Sequence, residues 1–260
     1  SNEKGAELWS IKTGDSLMTL NNPSGSFSSL DWSPDGKKLG VGADEGIAYV
    51  FDTYNGTVFN NFGSGYELNS IAFAPDNQTL SLGYGDRTAQ IWNLDGNLQQ
   101  TIEGFGYGSS DVTFTSEGNL FAAILPESWQ TPPQVRIWNT SDWSVEKVFP
   151  VGDRDNYMIT GFALAPDQNT GAISYVDMHG YHTDYIKIIS IHDGTTLVTL
   201  EPKRNQYRVF IDAIEYSPDS SMLAALVSEY DDPNPRILVW ETSNWSLLYQ
   251  KTITAGSRLD

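Results

Sequence analysis

The side chains that come nearest to chemistry in this 260-residue chain are histidines and carboxylates. Asp177, His179, His182 and Asp184 offer imidazole and carboxylate donors in one short segment, as a divalent metal would require. Their spacing matches no established ligand motif, and they read more simply as solvated residues at a hairpin tip. His192 falls in the next turn, at the opposite end of the strands. Asp153, Asp155 and Asn156, and also Glu229, Asp231 and Asp232, gather oxygens of the kind calcium takes. Neither group has the alternating oxygens, glycine and closing glutamate of an EF-hand loop. The glycine-rich stretch Gly104–Gly108 is not followed by a helix that could present its N-terminus to a phosphate. No Gly-x-Ser-x-Gly elbow or His-Glu-x-x-His pair occurs. Cysteine is absent, which removes thiolate nucleophiles, thiolate metal sites and disulfides. The expectation is a non-enzymatic chain without catalytic residues, metal or cofactor. The alternative is an enzyme or metal-dependent ligand binder that uses the Asp177–Asp184 loop.

The elements that must carry these residues repeat along the chain. Six times an apolar stretch runs into a turn, ending at Trp9, Phe51, Trp92, Trp138, Ser190 and Trp240. Five times a second signal falls between them: SPDG from Ser33, APDN from Ala74, TSEG from Thr115, APDQ from Ala165 and SPDS from Ser217. Two interleaved signals at one period mark a repeat architecture. In the third unit, the spacing predicts short strands at Ser70–Phe73, Thr79–Leu82, Ala89–Trp92 and Leu98–Ile102. Pro75, Asp76 and Asn77 supply turn chemistry between the first two, and Gly85-Asp86 and Asp95-Gly96 turn the chain again. Four antiparallel strands in about 40 residues make one propeller blade, and a blade with two apolar faces needs neighbours on both.

These residues carry a resemblance to the WD-repeat (WD40-like) β-propeller family: the SPDG turn and its relatives, Val50-Phe51-Asp52, Ile91-Trp92-Asn93 with Asp86 in the preceding hairpin, Ile137-Trp138-Asn139 and Val239-Trp240-Glu241. The resemblance covers roughly residues 7–253 and implies an all-β propeller of degenerate repeats, of bacterial type. No Gly-His pair precedes any first strand, so the family's His–Ser/Thr–Asp–Trp tetrad cannot form in its usual way. The expected organisation is a single domain over residues 1–260, with blades near 7–22 (partial), 28–62, 68–102, 110–149, 160–200 and 212–253. That makes about six blades, five complete and the first partial. One first-and-second-strand hairpin is missing. The chain is therefore expected to be a fragment of a larger propeller, or to leave a gap that a partner fills.

Spacing locates the elaborated part. From the second residue of the first turn to the aromatic position, 17 residues separate Pro34 from Phe51 and Pro75 from Trp92. The later units need 22, 24 and 22 (Ser116 to Trp138, Pro166 to Ser190, Pro218 to Trp240). The extra residues are expected in the loop between strands two and three. Further extras fall between the later blades, and both loop classes emerge at one end of an up-and-down blade. Loops grown on one side of a rigid scaffold are where binding resides. Trp129, Tyr157, Tyr181, Tyr207, Arg208 and Tyr230 fall in these loops and are types enriched at interaction surfaces. They form the expected partner-binding face, set against the plain reading that loop aromatics pack on their own blade. Trp143 and Trp245 hold equivalent turn positions at the other end, where packing is the expected role. Four Asn-x-Ser/Thr sequences, at Asn55, Asn77, Asn139 and Asn244, also fall there and read as turn chemistry.

The formal net charge of −18 argues against nucleic acid, whose phosphates are bound by Lys and Arg. It suits a protein or peptide partner of basic character, with other domains of a longer parent chain as further candidates. No apolar run is long enough for a membrane span. Nothing in the sequence sets the compartment.

Overall fold

The computed structural model describes residues 5–10, 13, 15–21, 27–43, 45–63, 65–104, 111–124, 134–151, 157–177, 184–202, 209–229 and 232–253. Among them the chain is all β. The chain divides into two compact units, Ser1–Glu127 with Ile137–Glu146, and Ser128–Arg136 with Lys147–Asp260.

The first unit begins with a ribbon of β1 (Gly5–Trp9) and β2 (Ser16–Asn21). A four-stranded sheet follows, of β3 (Phe27–Trp32), β4 (Lys38–Ala43), β5 (Ile47–Asp52) and β6 (Val58–Gly63). The next sheet holds β7 (Leu68–Phe73), β8 (Thr79–Tyr84), β9 (Thr88–Asn93) and β10 (Leu98–Glu103). A further sheet holds β11 (Asp111–Phe114), β12 (Leu120–Ile124), β13 (Gln134–Trp138) and β14 (Val145–Pro150). The second unit holds β15 (Tyr157–Leu164), β16 (Thr170–Asp177), β17 (Tyr185–Ser190) and β18 (Thr196–Leu200) as one sheet. Its other sheet is β19 (Val209–Tyr216), β20 (Met222–Glu229), β21 (Asp232–Glu241) and β22 (Leu247–Thr252). Each four-stranded sheet is an antiparallel meander in chain order, which is the propeller blade the repeat predicts.

The first turn of each blade is built by its own side chains. Ser33 Oγ donates to Asp35 Oδ1 at 2.8 Å and accepts from the Lys38 N–H at 2.9 Å. Ser217 and Asp219 repeat the pattern at 2.6 Å, with the Met222 N–H as donor. The Lys37 N–H and the Ser33 hydroxyl hold the Asp35 carboxyl low, at about 2, and the hydroxyls of Ser217 and Ser221 do the same for Asp219. The fourth turn residue takes a positive φ each time, at Gly36 (69°), Asn77 (58°), Gly118 (90°), Gln168 (59°) and Ser220 (60°). Glycine and asparagine suit that conformation, while Gln168 and Ser220 hold it against their own preference.

Blades associate through small residues. In β4, Leu39, Val41 and Ala43 bury one face, and Gly40 and Gly42 make the other. A Cβ on Gly40 would lie 2.7 Å from Ile71 Cδ1 and 3.0 Å from Phe73 Cε2, and one on Gly42 only 2.5 Å from Leu68 Cδ2. The next blade therefore fits because these two side chains are missing. The contact is keyed by polar bonds at a fixed interval. Ser29 Oγ accepts from the Ile71 N–H at 3.2 Å, Asp31 Oδ2 from Phe73 at 2.7 Å, and Ser70 Oγ from Val112 at 3.2 Å, each pair 42 residues apart. The first strand is a sheet edge, and these side chains occupy its outward N–H groups.

Two outcomes follow. Gly40→Val overfills the contact with Ile71 and should cost about 1–3 kcal/mol by overpacking, part of it recovered by Ile71→Val in a double-mutant cycle read by urea denaturation. Burial pushes the Asp31 carboxyl up to about 6, against the pull of the Phe73 and Trp32 N–H groups. Its folded pKa exceeds its unfolded value, so the folded chain keeps a proton that the unfolded chain releases. Its stabilising contribution is then complete below about pH 4 and is lost as pH rises to about 6. Asp31→Asn should remove that slope, and Asp31→Ala should also lose about 1–3 kcal/mol with the acceptor. A slope that survives in Asp31→Asn would show the cause lies elsewhere.

Candidate functional site

Strand register fixes which ends of a blade share a side. In the β7–β10 sheet, Leu68 faces Tyr84, Gly83 faces Ala89, and Thr88 faces Glu103. The entry to strand one, the strand two-to-three connection and the exit from strand four therefore share one end. The other end holds the two turns, which are stapled together. Thr53, Thr140 and Thr242 donate their hydroxyls to the carbonyls of Gly36, Gly118 and Ser220 at 2.8, 2.9 and 2.7 Å. One end is thus closed by its own hydrogen bonds, and the other carries the variable connections.

Tyr157 opens β15 and stands directly opposite Asp177, the last residue of β16, so these two expected site residues are cross-strand partners at the variable end. Trp129, Tyr181, Tyr207, Arg208 and Tyr230 lie outside the described residues, as do His179 and His182. Asp184 is fully buried, its own N–H donates to the Val209 carbonyl at 3.3 Å, and its Oδ2 accepts from the Ile211 N–H at 3.3 Å. It thereby binds the first strand of the following blade, as Ser29, Asp31 and Ser70 do. Among the described residues no group of three or more His, Asp or Glu is arranged to hold a metal ion.

The inserted residues are not all loop. β20 runs for 8 residues and β21 for 10, and only positions 230 and 231 separate them. The expectation of a long loop in that unit is corrected: the extra length extends the hairpin itself. The pairing continues because the added turns of the pleat stay buried, with Val209, Ile211 and Val227 at its root. Glu229 pairs with the Arg236 guanidinium there, both side chains buried. Asp232 Oδ1 accepts from the backbone and side chain of Asn234 at 2.9 and 3.2 Å. Two of the three candidate calcium oxygens-bearing residues in this segment are thus engaged by the hairpin.

The sequence reading did not single out the aromatic pair whose members flank the Asp177–Asp184 segment in the chain. Tyr175 and Tyr185 are register partners whose rings stack with centroids 5.1 Å apart and planes 15° apart. The Tyr175 hydroxyl donates to the Val151 carbonyl, and Lys187 Nζ lies 5.3 and 5.7 Å from the two ring centroids. Such cation–π contacts hold the ammonium over the aromatic faces. The signal in the sequence was the pair of tyrosines flanking the connection. The opposite end behaves as expected of packing: Trp143 and Trp245 take positive φ, 59° and 58°, and lie against hydrophobic clusters that their blades share with the preceding ones. Asn55, Asn139 and Asn244 each accept the N–H two residues on, which is turn chemistry. The indole of Trp92 donates to Gln90 Oε1 at 3.1 Å, a local bond that stands where the tetrad does not form.

The chain matches two family models. Residues 4–74 match the anaphase-promoting complex subunit 4 WD40 domain, and residues 56–93 match the WD domain, G-beta repeat. An uncharacterized WD repeat-containing protein, sll1491, of Synechocystis sp. is 31% identical over 107 residues, covering 40% of this chain and 31% of that protein. A guanine nucleotide-binding protein subunit beta of Oryza sativa subsp. indica is 28% identical over 149 residues, covering 50% of this chain and 37% of that one. A periodic tryptophan protein 2 homolog of Neurospora crassa is 33% identical over 125 residues, 47% of this chain and 13% of that protein. The chain thus spans about a third of the length of the first two relatives.

The buried pair at the root of the extended hairpin has a measurable consequence. Arg236→Ala leaves the Glu229 carboxylate buried without its cation and should lower stability by about 3–5 kcal/mol. Glu229→Leu combined with Arg236→Met should be less damaging than either single truncation, read by thermal unfolding. If the double variant is the worst of the three, the pair supplies net stability.

Proposed function

We propose that this chain, which carries WD repeats on the blades of a β-propeller, is a non-enzymatic scaffold that holds a protein or peptide partner at the variable end of its later blades. The observation that carries the reading is the asymmetry of the blade ends. The turn end is consumed by its own staples, while added length gathers at the other end, as in the extended β20–β21 hairpin. Rigid strands that present variable connections are the arrangement by which such folds bind. WD-repeat propellers typically mediate protein interactions, and two of the matched names are those of subunits, the anaphase-promoting complex subunit 4 and the guanine nucleotide-binding protein subunit beta.

Trp129, Tyr157, Tyr181, Tyr207, Arg208 and Tyr230 form the contact face in this reading. Tyr157 starts at the root of a hairpin, where a strand rather than a loop holds its backbone. The net charge of −18 favours a basic partner, with attraction that fades as salt screens it. No helix among the described residues is long and apolar enough to cross a membrane. Asp184 binds the next blade through its carboxylate, which favours the scaffold over the metal-dependent reading of its loop.

The test uses the chain as bait at about 50 mM and about 300 mM salt, alongside a Trp129→Ala, Tyr230→Ala double variant. The expected result is a partner retained at low salt, reduced at high salt and lost from the double variant while the far-ultraviolet dichroism is unchanged. Equal capture by parent and variant would place the contact elsewhere on the blades.

A further inference from the structure

The first turns of neighbouring blades are tied to each other by side chains. Between the β3–β6 and β7–β10 sheets, the Asp35 N–H donates to Asn77 Oδ1 at 2.8 Å, and Asn60 Nδ2 donates to the Leu94 carbonyl at 3.0 Å. Between the β15–β18 and β19–β22 sheets, the Asp167 N–H donates to Ser220 Oγ at 2.9 Å, and the hydroxyls of Thr170 and Tyr216 share a bond of 3.2 Å. Asn77 and Ser220 are both the fourth, positive-φ residue of their turn. Between the β7–β10 and β11–β14 sheets the same positions hold Asp76 and Thr79 on one side, Gly118 and Phe114 on the other. Gly118 has no side chain to accept from the Asp76 N–H, and Phe114 lacks the hydroxyl of Tyr216. Two ties made in the later unit are thus removed here, while the first strands stay joined by the bond from the Val112 N–H to Ser70 Oγ.

A cleft of about 600 Å³ opens at this junction. It lies within the first unit, and its walls include Asp76, Thr79, Gln99, Phe114, Glu117 and Trp143. A Cβ built on Gly118 meets nothing within 4 Å. One wall is an indole. Trp143 holds its φ of 59° where the two preceding blades place Gly56 (72°) and Gly96 (95°). At Gly56 the space toward the preceding sheet is filled, since a Cβ would lie 2.6 Å from Met18 Sδ. Trp245 takes the same conformation as Trp143, but Ser220 and Tyr216 tie its junction. A bulky side chain at positive φ carries strain, and strain of this kind gathers at ligand clamps. At the Trp143 junction that strained indole coincides with both missing hydroxyls.

We propose that this cleft binds a neutral saccharide, whose ring lies on the Trp143 indole and whose hydroxyls take the places that Ser220 and Tyr216 fill in the later unit. One hydroxyl oxygen accepts from the Asp76 N–H, as Ser220 Oγ does from Asp167. A second donates to Thr79 Oγ1, whose own proton goes to Asp76 Oδ2 at 2.7 Å. The exposed Glu117 carboxylate and the Oε1 of Gln99, whose Nε2 donates to the Asn97 carbonyl at 3.3 Å, are acceptors for further hydroxyls. The other Asp76 oxygen is held by the Gln78 and Thr79 N–H groups at 2.7 and 2.8 Å. An ammonium ligand cannot accept from a backbone N–H, and an anion would face Asp76 and Glu117 in a chain of net charge −18. A sugar ring satisfies both conditions, with a C–H face for the indole and hydroxyls at its edge. The cleft volume falls in the range of about 300–1,000 Å³ typical of small-molecule sites. The staples within each blade are intact, and what is open lies between two blades at the turn end. The site is separate from the loop-bearing contact face, so the two stand or fall independently.

The probes are glucose, galactose, mannose and N-acetylglucosamine, each as the monosaccharide and as a linear trisaccharide, titrated into the whole chain by calorimetry. The expected result is saturable one-to-one binding of at least one of them. Gly118→Asn restores the acceptor that Asn77 provides at a φ of 58°, and should weaken binding at least about tenfold by occupying the Asp76 N–H. Trp143→Gly copies Gly56 and Gly96, relieves the backbone, and should weaken binding to the same extent by removing the platform. Far-ultraviolet dichroism verifies the fold of both variants. Tighter binding of the trisaccharide supports the proposal with a glycan chain as the source, and equal binding supports it with a free sugar. Absence of saturable binding across the panel overturns it, and so does an affinity unchanged in Gly118→Asn or in Trp143→Gly. Tighter binding of tetramethylammonium or inorganic phosphate than of every sugar also overturns it, since the occupant would then be charged.

Discussion

A four-stranded sheet with two apolar faces cannot stand alone in water, and that constraint governs this chain. β4 and β8 show the solution most plainly. Large residues such as Leu39, Val41, Leu80 and Leu82 are buried, and glycine or serine takes the alternate positions so that the next sheet can approach. The hydrophobic gain scales with the apolar area removed from water, while shape sets how much of it is realised. The bonds from Ser29, Asp31 and Ser70 then settle the exposed edge of each first strand and fix the offset between sheets. In the second unit Asp184 reaches Ile211 to the same end, from a different position in the repeat.

From that packing follows the division of labour between the ends of a blade. The turn end is short, self-bonded and tolerant of costly conformations; two tryptophans hold positive φ there while their half-buried rings pack on the clusters beneath them. A bulky side chain in that region carries strain that the surrounding contacts must overcome. The opposite end is freed from this role. There the second unit extends its strands, inserts the buried Glu229–Arg236 pair and stacks Tyr175 on Tyr185 beneath Lys187. These are rigid supports, and a connection mounted on them is positioned without being constrained in sequence. The repeated blades thus provide the frame, and the function proposed for this chain resides in what the frame presents.

Much of this was legible from residue order. The turns from Ser33, Ala74, Thr115, Ala165 and Ser217 announce the first hairpins because Pro presets φ and Asp or Ser bonds the nearby backbone, an interaction complete within a few residues. The third unit reads strand by strand: Ser70–Phe73 expected and Leu68–Phe73 observed, Ala89–Trp92 expected and Thr88–Asn93 observed. The fourth strands β6 and β10 each bury one apolar residue near their end, Phe62 and Ile102.

What residue order left open depends on partners distant in the chain. The spacing from Pro218 to Trp240 reveals an insertion but not its form, and only cross-strand pairing converts it from loop to hairpin. Asp184 reads as a metal donor beside two histidines, yet a neighbour 27 residues away makes it a backbone acceptor. Glu229 reads as part of an acidic loop until Arg236, 7 residues on, folds back across the hairpin and neutralises it. Local order therefore determined the turns, the strand period and the propeller blade, since each arises from interactions within a few residues. Tertiary structure alone decided which polar groups are satisfied and which apolar faces are covered, because both depend on what the next blade brings into contact.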